Sequence, residues 1–379
     1  MAWGFKRIPL ILIAVINILF VIKYGTRFIG AYSYMAAGII TVFYILLAGI
    51  GVPVLNKLNK YKSGLIIITI FSGMVLCVAV DAIVKPESVL VDRWSAIVNW
   101  DVKFLHGEYP YAARTHLGGV VSGLPGLFFI TMPFYFAGDV GYFQATTVLL
   151  FALCCFLLFK KEKALMAFLL FFLSVGFLWE VYVRSDIGGN SVLVALYLVL
   201  IEQMRKNSTG KKMFFAGIIM GILMTTRTVF VIPFVIYLIR WIDFRKKGPV
   251  ALFLISSVIV FCSFLLPFVA GHFDTFLSNN PFIEQTDKMP VGISILFIGI
   301  AIVCGFFTKT IDRALLTSGY LLFTLIGIAF VIKIIKMNFY EAFWANHFDI
   351  SYFMIALPFL VLSVFNTDYC DFKDFKSRG

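Results

Sequence analysis

The chain contains 379 residues, of which 61% are hydrophobic and only 14% are charged. Apolar runs of about 18 or more residues recur along its whole length, which excludes a water-soluble globular protein. A transmembrane β-barrel would show segments of about ten residues of alternating polarity, and these are absent. The expected fold class is therefore an all-α polytopic membrane protein.

The apolar segments predict about twelve membrane-spanning helices, each near the length of about 20 residues that a bilayer core requires. The first follows Lys6 and Arg7 and lacks a small-residue cleavage site, so it is expected to be a retained helix and not a signal peptide. In chain order, the predicted spans cover residues 8–23, 34–54, 64–84, 142–159, 164–182, 191–204, 213–225, 228–240, 251–270, 292–307, 315–331 and 351–365.

One further apolar segment, residues 118–137, is long enough to span but is interrupted by Gly123, Pro125, Gly126 and Pro133. If it stays at the outer face, most of the 32 basic residues lie in cytoplasmic loops, whereas fewer than half do if it crosses. The positive-inside rule therefore predicts that it does not cross, and that both termini are cytoplasmic. The net charge of +12 then reflects topology, and nucleic-acid binding has no support.

These predictions divide the chain into four parts. They are an N-terminal three-helix segment (1–84), an outer catalytic loop (85–141), a transmembrane bundle (142–366) and a cytoplasmic tail (367–379). The six cysteines show no spacing typical of a metal site and are expected to be free thiols. They are Cys77, Cys154, Cys155, Cys262, Cys304 and Cys370.

The outer loop is expected to contain two helices that lie along the membrane surface. Apolar residues after Trp94 fall mostly at helical spacing, with polar residues elsewhere, which predicts an amphipathic helix ending at Gly107. Residues 118–137 are expected to form a second juxtamembrane helix, entered through two glycines and bent at Pro125 and Pro133.

Two aspartates are candidate general bases. Asp92 opens the predicted surface helix, where a carboxylate partly desolvated by Trp94 and Trp100 can take a proton from a lipid-borne substrate. A helix N-cap is the alternative interpretation, because Asp is a preferred capping residue. Asp81 lies near the outer end of its span, where an ionisable group is costly unless it is paired, functional or solvated at the interface.

Two arginines near the outer ends of later spans are candidate ligands for substrate. Arg184 and Asp186 belong to a polar turn, which either holds a phosphate or sugar hydroxyl or is an ordinary loop. Arg227 lies between two short spans, flanked by three threonines and without an acidic neighbour in sequence. It therefore suits a lipid phosphate or pyrophosphate, with snorkelling to the interface as the alternative.

Four further residues in later outer loops, or at the start of the last span, are expected either to line the same cavity or to be merely solvated. They are His272, His347, Asp349 and Tyr352. The sequence contains no zinc, P-loop, dinucleotide or serine-hydrolase motif. Known cofactor-binding signatures therefore do not indicate the chemistry.

Short motifs follow one another along most of the chain from Asp81 onward. In order, they are Asp92 near the start of a juxtamembrane helix, Leu105-x-Gly107-Glu-Tyr-Pro110-Tyr111, a Gly/Pro-rich apolar run, Arg184-Ser-Asp186, Ala216-Gly217-x-x-x-Gly221 leading through Arg227 to Pro233, and Asp349-Ile-Ser-Tyr352 before Leu357-Pro358. This order of motifs resembles the GT-C superfamily of membrane glycosyltransferases.

The resemblance implies transfer of a hexosyl or mannosyl group from a polyprenyl-phosphate donor to a glycan, lipid or protein acceptor. The reaction is expected at the outer face of a bacterial inner membrane. Asp92 is then the general base, with Asp81 as second candidate, and Arg227 binds the donor phosphate, where relatives often have Lys. The other expected substrate-binding residues are Arg93, Tyr111, Arg114, His116, Arg184, Asp186 and Tyr352. The resemblance implies no particular cofactor, and it does not decide whether a divalent metal is required.

The chain departs from the family pattern in two places. Its large loop follows the third predicted span instead of the first, and the usual double proline is replaced by Gly123-Leu124-Pro125-Gly126. A non-catalytic transporter or flippase of lipid-linked sugars is the alternative function. Such a protein would be expected to show internal repeats and ionisable residues near mid-membrane. No obvious repeat is present, and charged residues cluster near the ends of the predicted spans.

Overall fold

The computed structural model describes residues 6–57, 62–204, 209–241, 247–286 and 289–367. These residues form eighteen α-helices and no strand, apart from one isolated bridge between Arg114 and Val120. In chain order, the helices are α1 (Arg7–Phe20), α2 (Thr26–Ile29), α3 (Tyr32–Lys57), α4 (Lys62–Ile83), α5 (Arg93–Leu105), α6 (Pro125–Phe136), α7 (Tyr142–Leu158), α8 (Lys161–Phe172), α9 (Val175–Tyr182), α10 (Ile187–Met204), α11 (Gly210–Met224), α12 (Val231–Trp241), α13 (Lys247–Val269), α14 (Phe273–Ser278), α15 (Pro281–Thr286), α16 (Val291–Phe307), α17 (Ile311–Met337) and α18 (Leu357–Val364).

The all-α fold class is confirmed for the described residues. Each predicted span coincides with a helix or with two consecutive helical elements. Six helical segments are long and apolar enough to cross a membrane, and the pair α8 and α9, bent by 56°, is a seventh candidate. Five shorter apolar helices have 10–17 residues. The six long segments are Arg7–Ile29, Tyr32–Leu55, Ser63–Ile83, Ile187–Met204, Gly248–Val269 and Ile311–Met337.

The five described cysteines are free thiols inside helices, as predicted. Cys370 lies outside the described residues, together with the rest of the predicted tail from residue 368. Residues 58–61, 205–208 and 242–246 also lie outside them and contain several basic residues of the predicted cytoplasmic loops.

The helices differ sharply in how much of their surface the protein itself covers. In α10, 78% of the apolar window is buried, so this helix lies at the centre of the bundle. In α4 and α13 only 22% is buried. Apolar side chains exposed on such a scale are what a lipid-facing helix requires, because lipid tails cover them in place of protein.

The break between α8 and α9 is stabilised by a buried asparagine of the first span. Asn17 Oδ1 accepts hydrogen bonds from the Val175 N–H at 2.7 Å and from Ser174 Oγ at 3.1 Å. Because the first N–H groups of a helix have no partner within it, this side chain satisfies a donor that the bend exposes. The Asn17 amide therefore allows the chain to turn inside an apolar environment.

The glycine motif of α11 brings its backbone against α13. A Cβ on Gly217 would lie 2.3 Å from the Phe253 carbonyl oxygen, and one on Gly221 would lie 2.6 Å from that of Ser257. Ser257 Oγ donates to the Gly217 carbonyl oxygen at 3.0 Å. Small residues at this spacing allow membrane helices to approach closely, so this motif packs the bundle.

Residues 85–141, the predicted outer loop, form two short helices, α5 and α6, on a shared aromatic core. Trp100 of α5 stacks on Phe128 of α6, with ring centroids 4.3 Å apart. Gly107 follows α5 with a φ of +73°, which agrees with its predicted role as a stop. The second helix begins at Pro125 and not at residue 118, because residues 118–124 are not helical. Pro125 therefore starts this helix and does not bend it.

Candidate active site

A cavity of about 370 Å³ lies where the outer loop meets the ends of several bundle helices. Its volume falls in the range of about 300–1,000 Å³ that is typical of small-molecule sites. Six of the residues predicted from sequence line it: Asp92, Arg93, Asp186, Arg227, Asp349 and Tyr352. They come from four separate parts of the chain, so the fold assembles a site from distant motifs.

Asp92 stands directly before α5, where a capping aspartate would lie, but its side chain makes no capping hydrogen bond. Its Oδ2 instead accepts a hydrogen bond from Thr115 Oγ1 at 2.9 Å. Among the described residues, Oδ1 has no hydrogen-bond partner. The N-cap interpretation therefore does not account for this carboxylate, which keeps one oxygen free at the cavity wall.

Arg93, the first residue of α5, connects this helix to the segment before α18. Its Nη2 donates to Asp349 Oδ2 at 2.5 Å and to Ser351 Oγ at 3.1 Å. Its guanidinium lies 5.1 Å from the centre of the Tyr352 ring. Burial opposes the charge of Arg93, but the neighbouring acidic groups, Asp349 first among them, together outweigh burial and raise its pKa well above the ordinary value. Arg93 is therefore a fixed cation beside Asp92.

Arg227 is paired, although no acidic residue is near it in sequence. Its Nε donates to Asp186 Oδ2 at 2.9 Å, and its Nη2 donates to Oδ1 at 2.8 Å and to Oδ2 at 2.6 Å. The two side chains are 4% and 3% exposed, which excludes snorkelling. Within the described part of the chain, Nη1 makes no hydrogen bond. Arg227 is thus held rigidly by a bidentate pair and keeps donor capacity for a ligand.

The Gly/Pro-rich run of the outer loop holds the backbone beside Arg227. The Gly126 N–H donates to the Thr225 carbonyl oxygen at 2.8 Å, and the Leu124 N–H donates to that of Thr226 at 3.2 Å. A Cβ on Gly126 would lie 2.3 Å from Thr225 Oγ1, so only glycine fits there. The sequence Gly123-Leu124-Pro125-Gly126 therefore docks the loop on the Arg227 segment.

A second cavity, of about 360 Å³, adjoins the first at Arg227. Apolar side chains from six helices form most of its wall, among them Met224, Ile232, Phe261, Ile298 and Leu325. A smaller cavity of about 90 Å³ also includes Arg227, with Tyr352. Arg227 therefore stands between a polar compartment that contains Asp92 and an apolar compartment among the helices.

Asp81 and Arg184 lie together in a separate buried cluster that does not belong to the cavity wall. Arg184 Nε donates to Asp139 Oδ1 at 2.8 Å and lies 3.5 Å from Asp81 Oδ1. Its Nη2 donates to the carbonyl oxygens of Asp81 at 2.6 Å and of Val84 at 2.9 Å. The structure thus places the second base candidate, Asp81, away from Asp92, and it gives Arg184 partners within the protein in place of a ligand.

Three other predicted binding residues of the outer loop also lie off the cavity wall. Tyr111 is completely buried in the aromatic core and donates to the Gly123 carbonyl oxygen at 3.1 Å. Arg114 is exposed, and the Asn99 side chain donates to its carbonyl oxygen at 2.8 Å. His116 is exposed, with Nδ1 2.7 Å from Ser95 Oγ. Their positions indicate that they shape the loop.

The later histidines lie outside the cavity wall, whereas Asp349 is part of it. His272 stacks on Tyr109 with ring centroids 4.3 Å apart. His347 Nε2 lies 3.3 Å from Glu341 Oε2, and both side chains are exposed. Both histidines are exposed to solvent, and His272 also stacks on Tyr109.

Sequence reasoning missed one wall of the cavity. Tyr24 and Trp179 line it as a stacked pair, with ring centroids 3.8 Å apart. Arg27 lies 5.1 Å from the Tyr24 ring centre, and its Nη2 donates to Asn346 Oδ1 at 3.4 Å. Glu284 lines the cavity as well. The position of Arg27 just after the first predicted span could have marked it as a candidate site residue. The stacking of Tyr24 on Trp179 could not be predicted, because the two residues are far apart in sequence.

No known protein family, curated protein or solved structure matches this chain. Among the described residues, no group of three or more His, Cys, Asp or Glu side chains is arranged to hold a metal ion. The site is therefore interpreted from its own geometry, which combines a carboxylate with a free oxygen, two fixed arginines and an apolar cavity beside one of them.

Proposed function

We propose that the chain is a GT-C-type glycosyltransferase that moves a sugar from a polyprenyl-phosphate donor to a glycan, lipid or protein acceptor. The observation that carries the proposal is the position of Arg227 between the polar and the apolar cavity. A lipid-linked sugar has three parts in the same order, namely a polar sugar, a phosphate and an apolar chain. The sugar would occupy the cavity of Asp92, the phosphate would lie at Arg227, and the chain would enter among the helices.

The reaction assigned to this site is a displacement at the anomeric carbon of the donor sugar. The acceptor oxygen forms a bond to that carbon while the bond from the carbon to the phosphate oxygen breaks. Asp92 Oδ1 takes the proton of the acceptor hydroxyl, and the phosphate leaves with the bonding electron pair. The Arg227 guanidinium stabilises the negative charge that develops on the leaving phosphate.

The proposal includes the twelve-span topology, with both termini in the cytoplasm and the cavity facing outward from a bacterial inner membrane. In that topology α6 does not cross. The helices that cross together with the long ones are α7, α11, α12, α16 and α18. α6 is kept at the outer face because the basic residues of all later loops would change sides if it crossed, and fewer than half of the 32 basic residues would then be cytoplasmic.

The test is sugar transfer by the purified protein in detergent, with a panel of labelled polyprenyl-phosphate sugars as donors. Donor hydrolysis and crude lipid acceptors are included, with and without added Mg²⁺ and EDTA. Asp92→Asn is expected to lower kcat at least about 100-fold, since general-base catalysis contributes about 10²–10⁴-fold. Asp274→Asn, an exposed carboxylate outside the cavity wall, is the matched control.

Two outcomes would contradict the proposal. If wild-type protein binds lipid-linked sugars but never cleaves them, a transporter or flippase becomes the better account. If transfer occurs and Asp92→Asn leaves kcat unchanged, the protein is a transferase with a different base. Loss of activity in Asp81→Asn with a normal melting temperature would move the base to the buried cluster.

A further inference from the structure

The segment from Arg114 to Val120 forms a closed turn directly beside Asp92. The Thr115 N–H donates to the Gly119 carbonyl oxygen, and the Gly118 N–H donates to that of Thr115, both at 2.9 Å. Gly118 has a φ of +81°, which side chains rarely adopt. The turn is therefore built around Thr115, whose side chain it directs toward the carboxylate.

The hydrogen bonds of Thr115 have a fixed direction. The Gly119 backbone N–H donates to Thr115 Oγ1 at 2.9 Å, so the hydroxyl oxygen is the acceptor in that bond. A hydroxyl has one proton to give, and this proton points to Asp92 Oδ2 at 2.9 Å. Such a chain of bonds polarises the hydroxyl and strengthens its bond to an ionised carboxylate. Thr115 thus occupies Oδ2 and leaves Oδ1 as the oxygen that can accept a proton.

Gly119 lets its backbone lie close to Asp92 Oδ2, the same oxygen that Thr115 contacts. A Cβ at this position would lie 2.8 Å from Asp92 Oδ2 and 3.1 Å from Thr115 Oγ1. Real Cβ atoms essentially never approach another heavy atom to 2.8 Å, so any larger residue would displace the Asp92 carboxylate. Gly118, the preceding residue, has nothing within 4 Å of its Cβ position.

The turn is also fastened to the first turns of α5. The His116 backbone N–H donates to Ser95 Oγ at 3.1 Å, and Ser95 Oγ donates to the Asp92 carbonyl oxygen at 2.9 Å. The His116 ring lies between Ser95 and the Val89 carbonyl oxygen, which is 3.2 Å from Nε2. Because α5 and the turn share these bonds, Asp92 and Thr115 keep their relative position.

We infer that Thr115 and Gly119 are positioning residues for Asp92. Together they set the rotation of its carboxylate, so that Oδ2 is held by the protein and Oδ1 meets the acceptor hydroxyl. This inference rests on the proposed transferase function and adds the residues that orient its base. Neither residue touches the reacting atoms, and both act through Asp92.

Thr115→Val removes the hydroxyl and keeps the shape of the side chain. We expect it to lower kcat about 10- to 100-fold while KM for the donor changes less than about twofold, since misorienting a catalytic group has effects of this size. Thr115→Ser restores the donor and is expected to recover kcat to within about threefold of wild type. A Thr115→Val protein with wild-type kcat, or a Thr115→Ser protein as impaired as Thr115→Val, would overturn the inference.

Gly119→Ala and Gly118→Ala separate positioning from stability of the turn. Alanine at 118 strains a backbone with positive φ without approaching Asp92, whereas alanine at 119 meets the carboxylate. We expect a loss of kcat of about 10-fold or more in Gly119→Ala, and a lower melting temperature with nearly unchanged kcat in Gly118→Ala. If Gly119→Ala and Gly118→Ala lose kcat equally, the turn has only a structural role and Gly119 does not position Asp92. If the wild-type protein itself shows no sugar transfer, the proposed function fails. If the wild type, Thr115→Val and Gly119→Ala all transfer sugar at the same rate, only the inference about positioning fails.

Discussion

Arg184 and Asp186 are two residues apart, yet they serve different regions of the molecule. Arg184 points into a buried cluster in which Asp139 accepts from its Nε and two backbone carbonyl groups accept from its Nη2. Asp186 points into the cavity, where it holds Arg227 by a bidentate ion pair. The positive φ of Arg184, +52°, turns the chain between α9 and α10 and so separates the two directions. A charged motif in an apolar chain can therefore contain both a structural and a functional member.

The largest expected effect comes from the buried cluster. Arg184→Met removes the cation and leaves Asp81 and Asp139 without it, and breaking a buried ion pair in this way costs about 3–5 kcal/mol. We expect little folded protein, measured by size-exclusion chromatography and thermal unfolding in detergent. Arg114→Met, at an exposed position, is the control. If Arg184→Met is stable but no longer binds the lipid-linked sugar, Arg184 contacts the substrate. Arg184 and Asp186 would then both serve the site.

The second effect concerns Arg227 and its partner. Arg227→Gln alone leaves the Asp186 charge buried and unpaired, so we pair it with the double variant Arg227→Gln/Asp186→Asn. The double variant is expected to melt close to wild type but to lose about 100-fold in kcat/KM, because one removed electrostatic donor costs about 10²–10³-fold. If the double variant has both the melting temperature and the kcat/KM of wild type, Arg227 and Asp186 have only a structural role, like that of Arg184.

The third effect tests the apolar cavity beside Arg227. Leu325→Trp places a larger side chain on its wall, which is expected to raise KM about 10-fold for donors with a long polyprenyl chain. A donor with a short, water-soluble chain should be affected less than about twofold. Leu254→Trp, on the exposed face of α13, is the control. Equal effects on both donors would place the lipid chain elsewhere.

Part of this architecture could be predicted from the sequence alone. The positions of the helices follow from apolar runs, because such runs can lie only in lipid or in a buried core. Asp92 and Arg227 were recognisable as polar residues in places where polar groups are costly. The sequence could not show that Asp186, 41 residues away, neutralises Arg227, or that Thr115 holds Asp92, 23 residues away. These contacts depend on tertiary packing and carry no local periodicity.

Asp101 is a buried carboxylate that, in the part of the chain that the structure describes, is not paired with an arginine, unlike Asp139 and Asp186. This residue of α5 is completely buried, and within the described ranges neither of its carboxylate oxygens has a hydrogen-bond partner. Burial raises its pKa to about 7. Asp139 and Asp186 have cations to stabilise their charge, whereas burial without a cation favours the protonated form of Asp101.

The smallest expected effect is therefore a pH dependence of stability. In the unfolded chain Asp101 would ionise near pH 3.9, so the folded protein binds more protons between about pH 4 and pH 7 and loses stability as pH rises through that range. Asp101→Asn removes this penalty. We expect it to raise the melting temperature by about 2–4 °C at pH 8 and to have little effect at pH 4.5, with Asp274→Asn unchanged at both. A gain that is equal at the two pH values would mean that Asp101 already keeps its charge in the folded protein, as the aspartates paired with arginine do.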